Sequence, residues 1–168
     1  MMALQVEAVD EKTIRFTGLN QLMAGCLQGL GEILMHRDGP RARDRLLPHP
    51  STDATFNTEW EQFVIPDLRH LLVTAGETVT RDLTALEADP QHPHFFQVAF
   101  PATHLDAWLS ALNQARLILG EQFHVTDRDL DRRDLDPHSA ADRALLRIHL
   151  LGWLLELLVD FSSGTGPA

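Results

Sequence analysis

The stretch that decides the fold is WLSALNQARLILG, residues 108–120. Its apolar residues recur every three or four positions, which predicts a long helix over about residues 103–123. The residues that share one narrow face of this helix are Leu105, Leu109, Leu112, Leu119 and Phe123. A helix with such a face must bury it against other elements, so we expect a mainly helical fold built around this segment.

Arg116 lies near the centre of that apolar face, roughly 20° from Leu105 on a helical wheel, and Asn113 lies towards its edge. An arginine that faces a core must be paired, because an unpaired buried charge is very costly. Glu156, isolated in the apolar segment LLELLVDF, is a possible partner. The alternatives on other helices are Glu32, Glu61 and Glu77. We expect Arg116 to buttress the helix packing, with a role in a functional site as the alternative.

Three further helices are expected, over about residues 19–36, 57–87 and 139–161. Pro66 falls inside the second of these, so it must lie in a first turn or produce a kink. Residues 37–55 contain three prolines and are expected to form a loop. The helical part of the protein is therefore expected to be a four-helix bundle-like layer.

Strands are expected in two places. Residues 4–17 have the pattern of a hairpin, and FFQVAF, residues 95–100, has the composition of a third strand. The expected fold class is mainly α (α+β), with a small antiparallel three-stranded sheet beside the helices. We find no internal repeat or linker, so residues 1–168 are expected to form a single domain.

Composition limits the possible functions. The 168 residues carry a formal net charge of −10, and the two clusters of arginine are interleaved with aspartate. Nucleic acids repel such a surface, so no nucleic-acid partner is expected. No segment is apolar enough to span a membrane and none resembles a secretory signal, so we expect a cytoplasmic protein. The single Cys26 excludes a cysteine-rich zinc site and is expected to be buried.

Histidines provide the clearest candidate for catalysis. His92 and His94 are two residues apart, and His104 follows the FFQVAF strand. If the chain folds back there, the three imidazoles can converge on a transition metal, with Asp89 as a fourth ligand. The alternative is a surface loop that happens to contain two histidines. Phosphate-binding loops and nucleophile elbows are not found, so no catalytic residue is assigned.

The last predicted helix carries a possible interface. Trp153 and His149 share one face with Glu156 and Asp160, while the opposite side of the helix is densely apolar. An aromatic side chain with polar neighbours suits a contact with another protein or a second copy of the chain. The alternative is that Trp153 is an ordinary core residue.

Several segments resemble one family. Ala107-Trp108-Leu109, Ala111-Leu112-Asn113, Arg116-Leu117 and Leu119-Gly120 resemble the signature of the mainly actinobacterial "domain of unknown function" family numbered 2017. Leu46-Leu47-Pro48 and the C-terminal helix from Leu154 to Phe161 resemble other parts of that family. The resemblance implies a cytoplasmic helical protein without a known activity. Genes of the family often lie beside that of the ClpS protease adaptor, and some members are labelled transcriptional regulators.

We therefore expect a non-enzymatic cytoplasmic regulator or protein-interaction domain, and the family resemblance implies a link to Clp-type regulated proteolysis. No cofactor is expected, a protein partner is expected, and a homo-oligomer is an option. One alternative is a metal-dependent hydrolase that uses His92, His94 and His104. The other is an atypical transcriptional regulator, which requires an exposed basic face.

Overall fold

In the part of the chain that the structure describes, the sheet has four antiparallel strands in the order β1-β2-β4-β3. The strands are β1 (Gln5–Asp10), β2 (Thr13–Leu19), β3 (Glu87–Ala88) and β4 (Phe96–Pro101). The computed structural model describes residues 2–164. The predicted hairpin and the predicted strand at 95–100 are both formed, but the expectation of three strands is corrected to four. The additional strand, β3, has two residues, and an alternating pattern cannot be recognised over so short a length.

Gly18 lies near the C-terminal end of β2 and has a backbone conformation that favours glycine. Its φ of +72° lies in the left-handed region, where side chains are strained, and a Cβ there would overlap the carbonyl oxygen of Ala3. The register between β2 and β4 shifts between Phe16 and Leu19, which marks a local bulge. As a result Phe16 and Leu19 are both fully buried.

Helices account for most of the remaining chain. They are α1 (Gln21–Gln28), α2 (Leu30–Leu34), α3 (Pro40–Leu46), α4 (Ala54–Phe63), α5 (Ile65–Asp82), α6 (Leu105–Gln122), α7 (Asp127–Leu130) and α8 (Ala140–Ser162). The protein is therefore mainly helical, as expected. Within residues 2–164, no helix combines the length and the apolar character that crossing a membrane requires.

The first two predicted helices are each divided. The helix expected at 19–36 begins only after Leu19, because Asn20 caps α1 by accepting a hydrogen bond from the backbone N–H of Met23 (2.9 Å). It is interrupted at Gly29 and continues as α2 and a 3₁₀ turn, Met35–Asp38.

The helix expected at 57–87 begins earlier and breaks at Val64. Asp53 caps α4 through the backbone N–H groups of Thr55 and Phe56. Pro66 lies in the first turn of α5, which is one of the two positions expected for it. The loop expected at 37–55 contains α3. The simple four-helix layer is therefore not formed.

The core is centred on α6. This helix lies against α8 on one side and α5 on the other, and it also contacts α2 and α3. Trp108 is completely buried and stacks on Phe100 at a ring-centroid distance of 4.4 Å, with Phe16 5.7 Å away. These three aromatic side chains join the inner face of the sheet to the helices.

The start of α8 is fixed by a hydrogen-bonded carboxylate. Asp142 accepts hydrogen bonds from Nη1 and Nη2 of Arg132 (2.9 and 3.0 Å) and from the backbone N–H of Asp136 (2.9 Å). These hydrogen bonds hold the pKa of the Asp142 carboxyl below its ordinary value. The bonds from Arg132 contribute most, and the bond from the Asp136 N–H contributes next. The loop before α8 is therefore tied to its first turn by an ionised aspartate.

We expect Asp142→Asn to destabilise the protein at neutral pH and to have a smaller effect in acid. A carboxyl whose pKa is lowered by folding stabilises the protein above its unfolded pKa, about 3.9. That contribution is lost as the pH falls through the lower pKa of the folded state. Urea unfolding of both proteins at a series of pH values measures the difference. Asp131→Asn, an exposed change in the same loop, is the control, and a destabilisation by Asp142→Asn that does not diminish in acid contradicts the prediction.

Candidate functional site

The structure does not bring the three candidate metal ligands together. His104 Nδ1 lies 2.9 Å from Asp82 Oδ2, whereas His92 Nδ1 lies 3.7 Å from Asp89. His94 is exposed in the same loop as His92. Among residues 2–164, no group of three or more His, Cys, Asp or Glu side chains is arranged to hold a metal ion. This corrects the expectation of a site formed by His92, His94 and His104.

His104 instead belongs to a structural contact between two helices. The Asp82 carboxylate, at the end of α5, also accepts a hydrogen bond from Nε1 of the buried Trp108 (2.9 Å). Asp82 therefore joins the end of α5 to the start of α6. Asp89 has a local role as well, since it accepts hydrogen bonds from the backbone N–H groups of Gln91 and His92 (2.8 and 3.1 Å). These bonds hold the pKa of the Asp89 carboxyl below its usual range.

Arg116 is half-buried and lies over α8, not in the centre of the core. A Cβ on Gly152 would come within 3.3 Å of its Nε and 3.4 Å of its Cζ, so the guanidinium rests where α8 lacks a side chain. Nε is buried without a hydrogen-bond partner in the described part of the chain. The expected pairing with the exposed Glu156 is not formed, and Asn113 is exposed. Arg116 therefore contributes to helix packing through its contact with Gly152.

A polar pair that the sequence analysis missed, the buried Gln114 and the half-buried Arg37, lies on the opposite side of α6. Gln114 is 1% exposed, and its Oε1 accepts hydrogen bonds from both Nε and Nη2 of Arg37 at 3.2 Å. Its Nε2 donates to the carbonyl oxygen of Leu72 and to Ser110 Oγ, both at 3.1 Å. Arg37 and Gln114 are 77 residues apart, so no local spacing indicates that they meet.

One candidate binding surface is a groove between α1 and α8, which we name the α1–α8 groove. It encloses about 460 Å³ and is lined by Gln21, Leu22, Gly25, Cys26, Arg143, Leu146, Arg147 and Leu150. Leu22 is 52% exposed at its edge. Cys26 is buried, as expected, and its burial raises the pKa of the thiol to about 11. The thiol is therefore protonated at neutral pH, and it serves as an apolar lining group and not as a nucleophile.

An apolar stripe continues from the groove along α8. It consists of Leu146, Leu150, Trp153 and Leu157, which follow one another at the spacing of one helix face. Trp153 is 48% exposed, so it is not an ordinary core residue. The three leucines are half-buried. A contiguous apolar surface of this kind is typical of a site that binds another molecule.

The two edges of this stripe have opposite charge. Arg143 and Arg147 lie on the edge next to α1, and exposed Glu156 lies on the other edge, beside His149. Nη1 of Arg143 donates to two neutral acceptors, the carbonyl oxygens of Pro137 and His138 (3.1 and 2.9 Å). In the described range neither arginine forms an ion pair. Positive charge is therefore available to a bound molecule at the mouth of the groove.

Comparison with known proteins gives a family without a function. No curated protein and no solved structure matches the chain. Residues 12–162 match the model of a family whose description names no activity. Because the match covers most of the chain, the protein belongs to the family described as a domain of unknown function, DUF2017.

Proposed function

We propose that the protein is a non-enzymatic protein-interaction domain that binds a partner through the α1–α8 groove and Trp153. The observation that carries this proposal is the apolar stripe on α8, which remains uncovered beside a groove whose two arginines form no ion pair within residues 2–164. Tryptophan is one of the residue types enriched where binding energy concentrates in protein interfaces. A regulator needs such a surface and does not need a catalytic group.

The shape and charge of the groove favour an amphipathic helix as the bound segment. The stripe from residue 146 to residue 157 is about 17 Å long, which matches three turns of a partner helix. Such a helix places its own apolar residues against the stripe in the way that helices occupy grooves. Arg143 and Arg147 select acidic side chains on one edge of the partner, and Glu156 selects a basic residue on the other edge.

A second copy of this chain fits the surface less well. Each copy carries a net charge of −10, which opposes self-association. In a symmetric dimer, a two-fold axis would pack the α8 helices of the two copies antiparallel, with their stripes facing each other. The corresponding edges of the two stripes would then lie on the same side of the interface. Arg143 and Arg147 would then meet the arginine-bearing edge of the other copy. A different protein with a complementary charge pattern is therefore the proposed partner.

A cytoplasmic location and a link with Clp-type regulated proteolysis belong to this proposal. They are supported by the resemblance in the sequence and, for the location, by the lack of a membrane-crossing helix in residues 2–164. Components of the Clp system are the first natural partners to examine. No observation in the structure favours a transcriptional regulator.

We expect Trp153→Ala to weaken binding of a designed helical peptide by about tenfold or more, because truncation of a central tryptophan removes at least about 1–2 kcal/mol of binding energy. The peptide carries leucines at the spacing of the α8 stripe and glutamates on one edge. Titration of the fluorescein-labelled peptide, followed by anisotropy, gives the dissociation constants. Phe63→Ala is the matched control, since Phe63 is an aromatic residue 67% exposed on α4, away from the groove.

A second peptide with lysine in place of glutamate tests the charge argument. The acidic peptide should bind more tightly, and Arg147→Gln should reduce that preference. Equal binding of the two peptides, or equal loss in the Trp153 and Phe63 variants, contradicts the proposal. Light scattering of the protein alone provides an independent test. A dimer that dissociates on Trp153→Ala would show that the stripe joins copies of this chain.

A further inference from the structure

A second cavity lies on the other side of the molecule, between α2 with its following 3₁₀ turn and α5. It encloses about 540 Å³, within the range of small-molecule sites. Its apolar wall comes from Leu34, Met35 and Val73, and its polar groups include Arg37, Glu77 and Arg81. The α1–α8 groove shares none of these residues, so this cavity, the Arg37 cleft, is a separate feature.

The guanidinium of Arg37 is held in a fixed position in the cleft. Nε and Nη2 both donate to Gln114 Oε1, and Gln114 is itself anchored to α5 through the carbonyl oxygen of Leu72. Gly76 provides the space for the guanidinium, because a Cβ there would lie 2.9 Å from Arg37 Nη2. These bonds leave Nη1 and the second hydrogen of Nη2 available to a ligand.

The positive charge of Arg37 is not neutralised by an ion pair within residues 2–164. Its acceptor, Gln114, is a neutral amide, and the neighbouring Asp38 instead binds Arg69 through two hydrogen bonds of 3.0 and 2.6 Å. The cleft is also lined by Glu77, whose negative charge acts on Arg37, and by Arg81, four residues further along α5. Its two arginines and one glutamate give these lining groups a net charge of +1. One positive charge therefore remains.

We propose that the Arg37 cleft binds a small organic carboxylate with a short apolar tail. One carboxylate balances the single remaining charge, and the planar guanidinium suits its two oxygens. The apolar tail lies against Leu34, Met35 and Val73. A phosphate dianion would leave one negative charge without a partner beside Glu77, so the carboxylate is favoured.

The experiment compares 4-methylpentanoate with 4-methylpentanamide, which has nearly the same shape but no charge. Each is titrated into the ¹⁵N-labelled full chain to millimolar concentration. The backbone amide signals of Gly31, Gly76 and Thr80, which also line the cleft, are followed by NMR. We expect saturable shifts with the carboxylate and binding at least about tenfold weaker with the amide. Arg37→Gln should abolish the shifts, whereas Arg45→Gln, which removes the same charge from an exposed position outside the cleft, should preserve them.

Three results would overturn the proposal. They are equal binding of the carboxylate and the amide, no saturable shift with the carboxylate, and tighter binding of inorganic phosphate at the same signals. If Arg37→Gln does not fold, as judged by circular dichroism, the comparison of carboxylate, amide and phosphate on the unaltered protein decides the question. None of these outcomes depends on binding of the helical peptide, so the test is independent of the proposed function.

Discussion

Trp108→Ala should lower the free energy of unfolding by about 3–5 kcal/mol, the largest effect expected of any single substitution considered for this protein. The side chain is fully buried and is the contact at which α6 meets the sheet, stacked on Phe100 and close to Phe16. Its removal leaves a large cavity and deprives the nearly buried Asp82 carboxylate of an indole donor. Guanidinium unfolding followed by circular dichroism measures the change without relying on tryptophan fluorescence.

Trp153→Ala is the matched control for this measurement. It deletes the same side chain from α8, where the indole is about half exposed, and should lower the free energy of unfolding by only about 1 kcal/mol. Comparison of the two variants therefore distinguishes a tryptophan that stabilises the core from one that is available for binding. Comparable destabilisation by the two substitutions would show that the distinction between the buried and the exposed tryptophan is incorrect.

The sequence predicts strands and helix starts where neighbouring residues alone determine them. The alternation in residues 4–17 and the β-branched and aromatic character of 95–100 lead to β1, β2 and β4. Pro66 lies in the first turn of α5, since only there does the missing N–H cost nothing. The breaks at Gly29 and Val64 were missed because the apolar spacing continues across them, and tertiary packing determines where each helix ends.

The orientation of α6 could not be obtained from its sequence. Its buried face includes Trp108, Ala111 and Ala115 rather than the leucines at 105 and 109, which are only half-buried. Both α5 and α8 contact this helix, so apolar residues surround most of it and the centre of the apolar face is poorly defined. Alanines lie where two helices pack closely, but they are only weakly hydrophobic and hardly move the calculated centre of the apolar face. For this reason Arg116 was placed in the core, whereas it lies beside Gly152.

A candidate site could be predicted where a local sequence pattern marks it, but not where it depends on contacts between distant parts of the chain. Trp153 stood out in the sequence because a tryptophan among polar residues on one helix face is a local pattern, and the structure places that face in solvent. The histidine hypothesis required a fold-back that local spacing cannot show, and the actual partner of His104 is Asp82, on the preceding long helix. Arg37 and Gln114 likewise meet only because the 3₁₀ turn after α2 packs against α6.

Gln114→Leu is the second substitution with a large expected effect, about 2–3 kcal/mol lower stability. Leucine fills most of the same space, so the loss comes from Arg37, whose half-buried guanidinium would keep its charge and lose its acceptor. Burial already lowers the pKa of Arg37 and is opposed mainly by the nearby charge of Asp38, which shows that the guanidinium is partly removed from water. Urea unfolding of the variant measures the change.

A double-mutant cycle with Arg37→Met separates this pair from general effects on packing. If the cost of Gln114→Leu arises from an arginine without an acceptor, the same substitution in the Arg37→Met background should cost about 1–2 kcal/mol less. Additive losses would place the role of Gln114 in its bonds to Leu72 and Ser110 instead. Coupling is expected because every hydrogen bond that the structure shows for Arg37 ends on this one amide oxygen. Gln114 therefore both stabilises the packing of α6 and determines where the guanidinium of Arg37 is held in the cleft.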